Sequence, residues 1–588
     1  MRYLRFVFAF GLLILSANLV GAQEEQSQAI KTGTISGRVI NEKGQPVSEA
    51  AVSIRAYGAI GPSRSTTTDR EGNFQFSGLA PVVYLLNAGF PTYTTAPRDP
   101  DSTQATSYRV GDNVTLVLIK GGVITGKVTT NSGEPVVRVR VRAQLVRDAN
   151  GQRSRYGATM QERITDDRGV YRFYGLPTGT YLVLAGGGDG YASTPFLNDA
   201  PTYAPSSTRD TAAEVAVQAG DETTNIDIRY RGDQGHTVSG IASGLQGPDF
   251  PSYSITLTST LDAGSQLNEN TYQAPGTGFS FNGVADGDYD VTAQSYLPNG
   301  DRSISPPKRI KVRGADVTGV ELATKPLGTI SGRIVLEDSN APECTGKRRA
   351  AVTEALISAW HNEKEAAKDQ PQFIWALGGP AYPNDKGEIT LRNLAAGQYQ
   401  IISRLFAKYW YLRSITLASA GNAGTGGQPN RSLDVVSNWT TVRPGDRLSG
   451  LTVTLSAGAG SLQGQIKLNE GETLPGRLYV YLVPVEREKE QDVLRFFAAP
   501  VSTERKIAIN HIAPGRYWIV AQPALEGATP TLTRLRLPDE KEIRTKLRRD
   551  AEQTKIEIEF KPCQNVTDYE LPLRPSNDSQ RAAPKEKD

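Results

Sequence analysis

Apolar and polar residues alternate along this chain in short runs bounded by turn residues, the pattern of strands buried on one face. Four anchor positions recur at fixed offsets, n, n+2, n+5 and n+10. They are Phe74, Phe76, Leu79 and Tyr84 in the first copy, and Tyr171, Phe173, Leu176 and Tyr181 in the second. The third copy has Phe279, Phe281, Val284 and Tyr289, the fourth Ile389, Leu391, Leu394 and Tyr399, and the fifth Ile507, Ile509, Ile512 and Tyr517. Positions n and n+2 point the same way on a strand. Turn residues such as Pro177-Thr178-Gly179, Asp286-Gly287, Ala396-Gly397 and Pro514-Gly515 follow, and the tyrosine opens a second strand. Upstream, Asp69-Arg70-Glu71-Gly72, Asp167-Arg168-Gly169 and Asn384-Asp385-Lys386-Gly387 predict tight turns.

Each copy opens on a related strand: Ile35-Ser36-Gly37-Arg38-Val39, Ile124-Thr125-Gly126-Lys127-Val128, Val238-Ser239-Gly240, Ile330-Ser331-Gly332-Arg333-Ile334 and Leu462-Gln463-Gly464-Gln465-Ile466. A further strand is expected at 47–53, and the matching run 352–358, helical by composition, is read as a strand from its register. Closing strands are expected at 114–118, 225–228, 317–322, 451–455 and, by analogy, 555–560. The acidic-to-basic run 538–552, with Ile543 and Leu547 four apart, predicts a short amphipathic helix.

The anchor string resembles the carboxypeptidase regulatory-like domain, one of the transthyretin-like β-sandwiches of the carbohydrate-binding-like fold. Thr165-Asp166-Asp167-Arg168-Gly169-Val170-Tyr171-Arg172-Phe173 followed by Leu176-Pro177-Thr178-Gly179-Thr180-Tyr181 carries the likeness best. Copy one keeps Thr68-Asp69 and Gly72-Asn73-Phe74-Gln75-Phe76 but has Val82 where the turn glycine is expected, and copies three to five follow by spacing. The resemblance implies an all-β chain, a tandem array of five Greek-key, transthyretin-like or Ig-like β-sandwiches of about seven strands each, with a short helix near the C-terminus and no catalytic residues of its own. The expected organisation is a signal peptide at 1–22, a linker at 23–31, and sandwiches at 32–119, 120–233, 234–325, 326–456 and 457–575. The helix 538–552 is inserted in the last sandwich, and a polar tail covers 576–588.

Arg2 and Arg5, the apolar stretch 6–15 and the small residues of Val20-Gly21-Ala22 form a secretory leader cleaved before Gln23, with an uncleaved anchor as the alternative. No later run would span a membrane, so the expected location is secreted, periplasmic or cell-surface. There Cys344 and Cys563 could pair across 219 positions or remain free thiols. The 58 glycines and 35 prolines fit turns recurring in every unit. A formal charge of +3, falling to +1 once Arg2 and Arg5 leave, gives no footing for nucleic acid.

Candidate chemistry is sparse. His236, His361 and His511 stand one per repeat without a metal-ligand partner at the needed spacing, and neither a nucleophile elbow nor a phosphate loop occurs. No cofactor or metal is therefore expected, and the chain is read as a non-enzyme. Asp286, Asp288 and Asp290 overlie the recurring turn, Arg231-Gly232-Asp233 falls in a joint, and the glycine run 421–427 is a loop. Two features suggest binding. Arg138, Arg140 and Arg142 alternate with Val137, Val139 and Val141, so a strand would place the arginines on one outer face, either solvated or docking an anionic polymer. Phe406, Tyr409, Trp410 and Tyr411 crowd a strand end, as a sugar-stacking platform or as filling for a core and a joint. The long loops 189–208 and 90–107 come next. The expected function is an extracytoplasmic binding or scaffold module whose partner is a surface glycan or an envelope protein. A purely structural stalk, or an accessory subunit of an envelope transport or hydrolase system, is the alternative.

Overall fold

In the computed structural model, residues 32–573 are described except 57–62, 97–106, 150, 152–159, 188–195, 197, 245–251, 263–267, 276–277, 297–299, 363–379, 419–431, 469–473, 475–477, 503 and 524–533. The leader at 1–22, the linker at 23–31, the tail 576–588 and the glycine run 421–427 lie outside the described residues.

The described strands form ten sheets that pair into five sandwiches. Each encloses its own apolar core, built in the first from Ile35, Val39, Phe74, Phe76, Leu79 and Tyr84, and in the second from Ile124, Val128, Tyr171, Phe173, Leu176 and Tyr181. The remaining three cores contain the corresponding anchors. In every unit the opening strand pairs antiparallel with the anchor strand and parallel with the closing strand. A parallel pair needs a crossover, so the chain passes through the second sheet before returning to the first.

Three local devices explain the repeat. The opening-strand glycine touches the closing strand. A Cβ on Gly37, Gly126, Gly240, Gly332 or Gly464 would lie 2.1, 2.0, 1.9, 1.9 or 2.1 Å from the carbonyl oxygen of Val114, Ile226, Val320, Leu451 or Tyr569. The n+10 tyrosine hydroxyl donates to the carbonyl four residues earlier in all five units, at 3.1, 2.8, 2.9, 2.8 and 2.7 Å for Tyr84, Tyr181, Tyr289, Tyr399 and Tyr517. Burial pushes the Tyr84, Tyr181, Tyr399 and Tyr517 hydroxyls up, Tyr517 to about 12, so they stay protonated donors. The tight turns are tied by side chains: Asp69, Asp166 and Asn384 each accept two backbone N–H bonds. The bonds from Asn73 and Val170 hold the Asp69 and Asp166 carboxyls below their ordinary range.

Several expectations shift: the strand expected at 47–53 runs Ala51–Ala56, and of the closing strand expected at 225–228 only Ile228 lies in the strand Ile228–Arg229. Residues 352–354 are a single 3-10 turn and the strand runs Ala355–His361, so register identified the strand but not its start. The strand Glu557–Phe560 pairs antiparallel with the tyrosine strand of the fifth unit, while the closing strand is Asn565–Pro572, parallel to Gly460–Lys467. The analogy failed because both segments are short and β-prone, and only pairing distinguishes them.

The helix, Lys541–Thr554, buries Leu547 and Ala551 against Tyr479, Tyr481, Val483, Phe496 and Val520. It covers the outer face of a strand, Leu478–Pro484, whose other face fills the core. Arg544, on the helix itself, is fully buried and donates to the carbonyls of Leu535 and Leu537, both at 2.8 Å. Among the described residues no helix is long and apolar enough to cross a membrane.

Candidate functional site

The aromatic candidates do not form an exposed platform. Trp410 is 3% exposed and belongs to the fourth core, and Phe406, Tyr409 and Tyr411 are half-buried. Tyr409 sits in the left-handed region at φ 65°. Its carbonyl accepts from Gly458 and Ala459 at 2.8 and 2.9 Å, its hydroxyl accepts from Asn565 at 3.0 Å, and Lys347 lies over its ring. These partners belong to the joint between the fourth and fifth sandwiches. The cluster is therefore not a free platform: Trp410 fills the fourth core, and Tyr409 is tied to the fifth sandwich through its carbonyl and hydroxyl.

The joint is also covalent. Cys344, in a 3-10 turn of the fourth unit, is bonded to Cys563, in the turn before the last strand, with an S–S distance of 2.04 Å and Cα atoms 5.3 Å apart. His511 meets Trp410 here, its Nδ1 lying 2.9 Å from the Trp410 carbonyl. Since a carbonyl only accepts, Nδ1 carries the proton of the neutral ring. Burial holds the His511 pKa below its ordinary value, and Arg109 and Arg536 add to this against the opposing pull of the Trp410 carbonyl.

His511 stands at anchor position n+4, where the chain takes positive φ in every unit: Gly78 66°, Gly175 70°, Gly283 69°, Asn393 61° and His511 59°. Glycine and asparagine tolerate that conformation, whereas histidine there is uncommon. Asn393 and His511 both use the bulge to reach the preceding sandwich. Arg302 N donates to Asn393 Oδ1 at 2.9 Å and Asn393 Nδ2 donates to Gly300 at 3.3 Å. Register carried this signal, as the two copies that lack glycine at n+4, and sequence reasoning missed it.

A second joint connects units far apart in sequence. Arg109 of the first sandwich donates through Nη1 to the Phe406 carbonyl and lies 4.0 Å from Glu354, and Thr353 Oγ1 donates to the Pro81 carbonyl at 3.1 Å. Glu354 is buried and already held by Arg348 and by the Ala351 N–H. The first sandwich thus clasps the fourth. Nothing in the local pattern around Arg109 or Glu354 announces it.

The arginine row also differs from expectation. Arg138 is exposed at φ 59°, outside the strand Arg140–Asp148, whereas Arg140 and Arg142 are buried. A polymer-docking stripe of three solvated guanidinium groups is not formed, because a later segment covers that face. Asp288 and Asp290 pair with Arg313 and Arg309, Asp286 accepts from Gly314 N and lies 3.4 Å from His236, and Asp233 pairs with Arg231. Among the described residues no group of three His, Cys, Asp or Glu could hold a metal. Of the loops 189–208 and 90–107, residues 189–195, 197 and 97–106 lie outside the described residues. The described part of the first turns at the Thr202–Tyr203 strand.

His511 gives a pH dependence with a definite sign. The unfolded ring titrates near 6.5 and the folded ring lower, so protons bind preferentially to the unfolded chain between those values. Stability is full above about pH 7 and falls as pH drops below about 6.5. His511→Asn, which keeps the positive φ that Asn393 already adopts, should flatten the fall in melting temperature between about pH 7 and pH 5. A melting profile identical to that of the parent protein would assign the pH dependence to other groups.

Residues 34–117 match the family model of the carboxypeptidase regulatory-like domain. No curated protein matches the chain. Among solved structures, the shaft pilin SpaA of Lactobacillus rhamnosus GG aligns over 34% of this chain and 98% of its own at 12% identity, with a TM-score of 0.17. The Bacillus anthracis TIE protein aligns over 76% and 73% at 10% identity (TM-score 0.14), and a streptococcal ancillary pilin over 50% and 100% at 11% identity (TM-score 0.15).

Proposed function

We propose that this chain, whose residues 34–117 form a carboxypeptidase regulatory-like domain, is a secreted, non-catalytic scaffold that holds five β-sandwiches in a fixed, folded-back arrangement and presents them to a glycan or protein of the cell envelope. The observation that carries this reading is the clasp of Arg109 and Pro81 on Phe406, Glu354 and Thr353. A stalk that only sets distance has no use for contact between its first and fourth units. The pinned joints serve a protein whose surfaces must keep fixed mutual positions. With Trp410 in a core and Phe406 and Tyr409 bonded to neighbouring sandwiches, we infer that the partner-facing surface lies elsewhere.

Removing the charged donor to the partly buried Phe406 carbonyl costs about 1.5–3 kcal/mol, enough to release a contact between two separately folded units. Arg109→Ala combined with Thr353→Ala should therefore raise the radius of gyration measured by small-angle scattering while each sandwich stays folded. A parent protein that already scatters as an extended rod would refute the folded-back scaffold and favour the stalk.

A further inference from the structure

The second sandwich buries a guanidinium that is only partly satisfied among the described residues. On the strand Arg140–Asp148, Val141, Ala143 and Leu145 face the core, so Arg140, Arg142 and Gln144 face away. That outer face is covered. Tyr203 packs with Leu182 and Leu184 over it, and the Thr202–Tyr203 strand pairs with residues 184–185. Arg142 is left 4% exposed. Its Nη2 donates to the Gly186 carbonyl at 2.9 Å, but its Nε is enclosed without a hydrogen-bond partner among the described residues. A buried donor of a charged group without an acceptor is a cost that folds ordinarily avoid.

What lies beside Arg142 indicates what would satisfy it. The adjacent strand Met160–Ile164 ends the sheet, and its residues sit in register with the arginine row: Met160 opposite Gln144, Glu162 opposite Arg142, Ile164 opposite Arg140. Glu162 does not pair with Arg142. Its carboxylate is 3.9 Å from Arg140, and its side chain is 38% exposed. Met160 and Ile164, on the same face, are 47% and 60% exposed, unusual for large apolar side chains at the edge of a sheet. A cationic floor is thus bordered by an apolar rim, with one mobile-length acidic side chain between them.

We propose that this face of the second sandwich binds a carboxylate carried on an apolar group. The carboxylate accepts from Arg142 Nε, and the apolar group lies along Met160 and Ile164. The side-on edge of a guanidinium matches a planar carboxylate. Glu162 stands beside Arg142 and swings aside to admit the ligand, and its charge disfavours a dianionic phosphate more strongly than a monoanion. The site is independent of the clasp and of the scaffold reading.

Hexanoate titrated into the full-length secreted protein tests the proposal, with hexanamide as the uncharged control. The readouts are calorimetry and the arginine Nε–Hε resonances of nitrogen-15-labelled protein. Saturable binding of hexanoate and not of hexanamide is expected, with one buried arginine resonance shifting and that resonance absent from Arg142→Lys. Glu162→Gln should tighten binding severalfold. Met160→Ser with Ile164→Ser, both at exposed positions that leave the core intact, should weaken it about tenfold. The proposal is overturned if hexanoate moves no arginine resonance, if hexanamide binds equally well, or if neither the Glu162 nor the Met160 and Ile164 variant changes the affinity.

Discussion

Gly332→Ala destabilises the fourth sandwich by about 3 kcal/mol or more, lowering its melting transition by roughly 10 °C. The added methyl carbon would lie 1.9 Å from the Leu451 carbonyl oxygen and 2.5 Å from both the carbonyl carbon and Cβ of Leu451. All three atoms are close to the main chain, so no rotamer change relieves the contact. Neither strand can retreat: Gly328–Glu337 lies between Glu388–Leu394 and Arg447–Ala457, which in turn pairs with Trp410–Ala418. Gly278→Ala is the matched control, since a Cβ there meets nothing within 4 Å. It should leave calorimetric unfolding within about 0.5 kcal/mol of the parent protein. Equal melting of the two variants would show that the parallel strands do not approach as closely as described.

Loss of the Cys344–Cys563 bond has the second large effect. With the fourth sandwich folded, the bond closes a loop of about 100 residues through the unfolded fifth, and the chain-entropy account assigns such a loop about 4.7 kcal/mol. Cys563→Ser should lower the fifth sandwich's transition by about 3–5 kcal/mol, and a thiol reductant should reproduce the shift in the parent protein. Titration that finds two reactive thiols in the untreated protein, or a melting curve insensitive to reductant, would remove the bond from the account. The cross-link acts at the Trp410–His511 joint, so its removal, by loosening the burial that lowers the His511 pKa, should also flatten the acid sensitivity that His511 imposes.

Much of the fold was legible because burial at n, n+2 and n+5 reports the inward face of one strand, and the tyrosine at n+10 is fixed by a bond only four residues long. Both relations are local, so spacing preserves them even where Ile389 and Ile507 replace aromatics. The sites were far less legible. Alternation of Val139 and Val141 with Arg140 and Arg142 says which residues face away from a core, but not whether a later segment will cover them. The same holds for Phe406 to Tyr411, where Trp410 turns into its own core and Phe406 and Tyr409 meet residues of other sandwiches. Arg109 and Glu354 meet across 245 positions of sequence, and no periodicity encodes such a contact. The exception is His511, whose place in the repeat, where Gly78, Gly175 and Gly283 stand in other units, was visible without coordinates.

The clasp between the first and fourth sandwiches has a consequence for how this chain can evolve. An open row of repeats tolerates gain or loss of a unit, because each touches only its neighbours. Here, duplicating or deleting the second or third sandwich would carry Arg109 away from Phe406 and Glu354. Copy number between the clasped units is therefore under structural selection, whereas additions beyond the fifth unit are not. Natural length variants should keep two sandwiches inside the clasp.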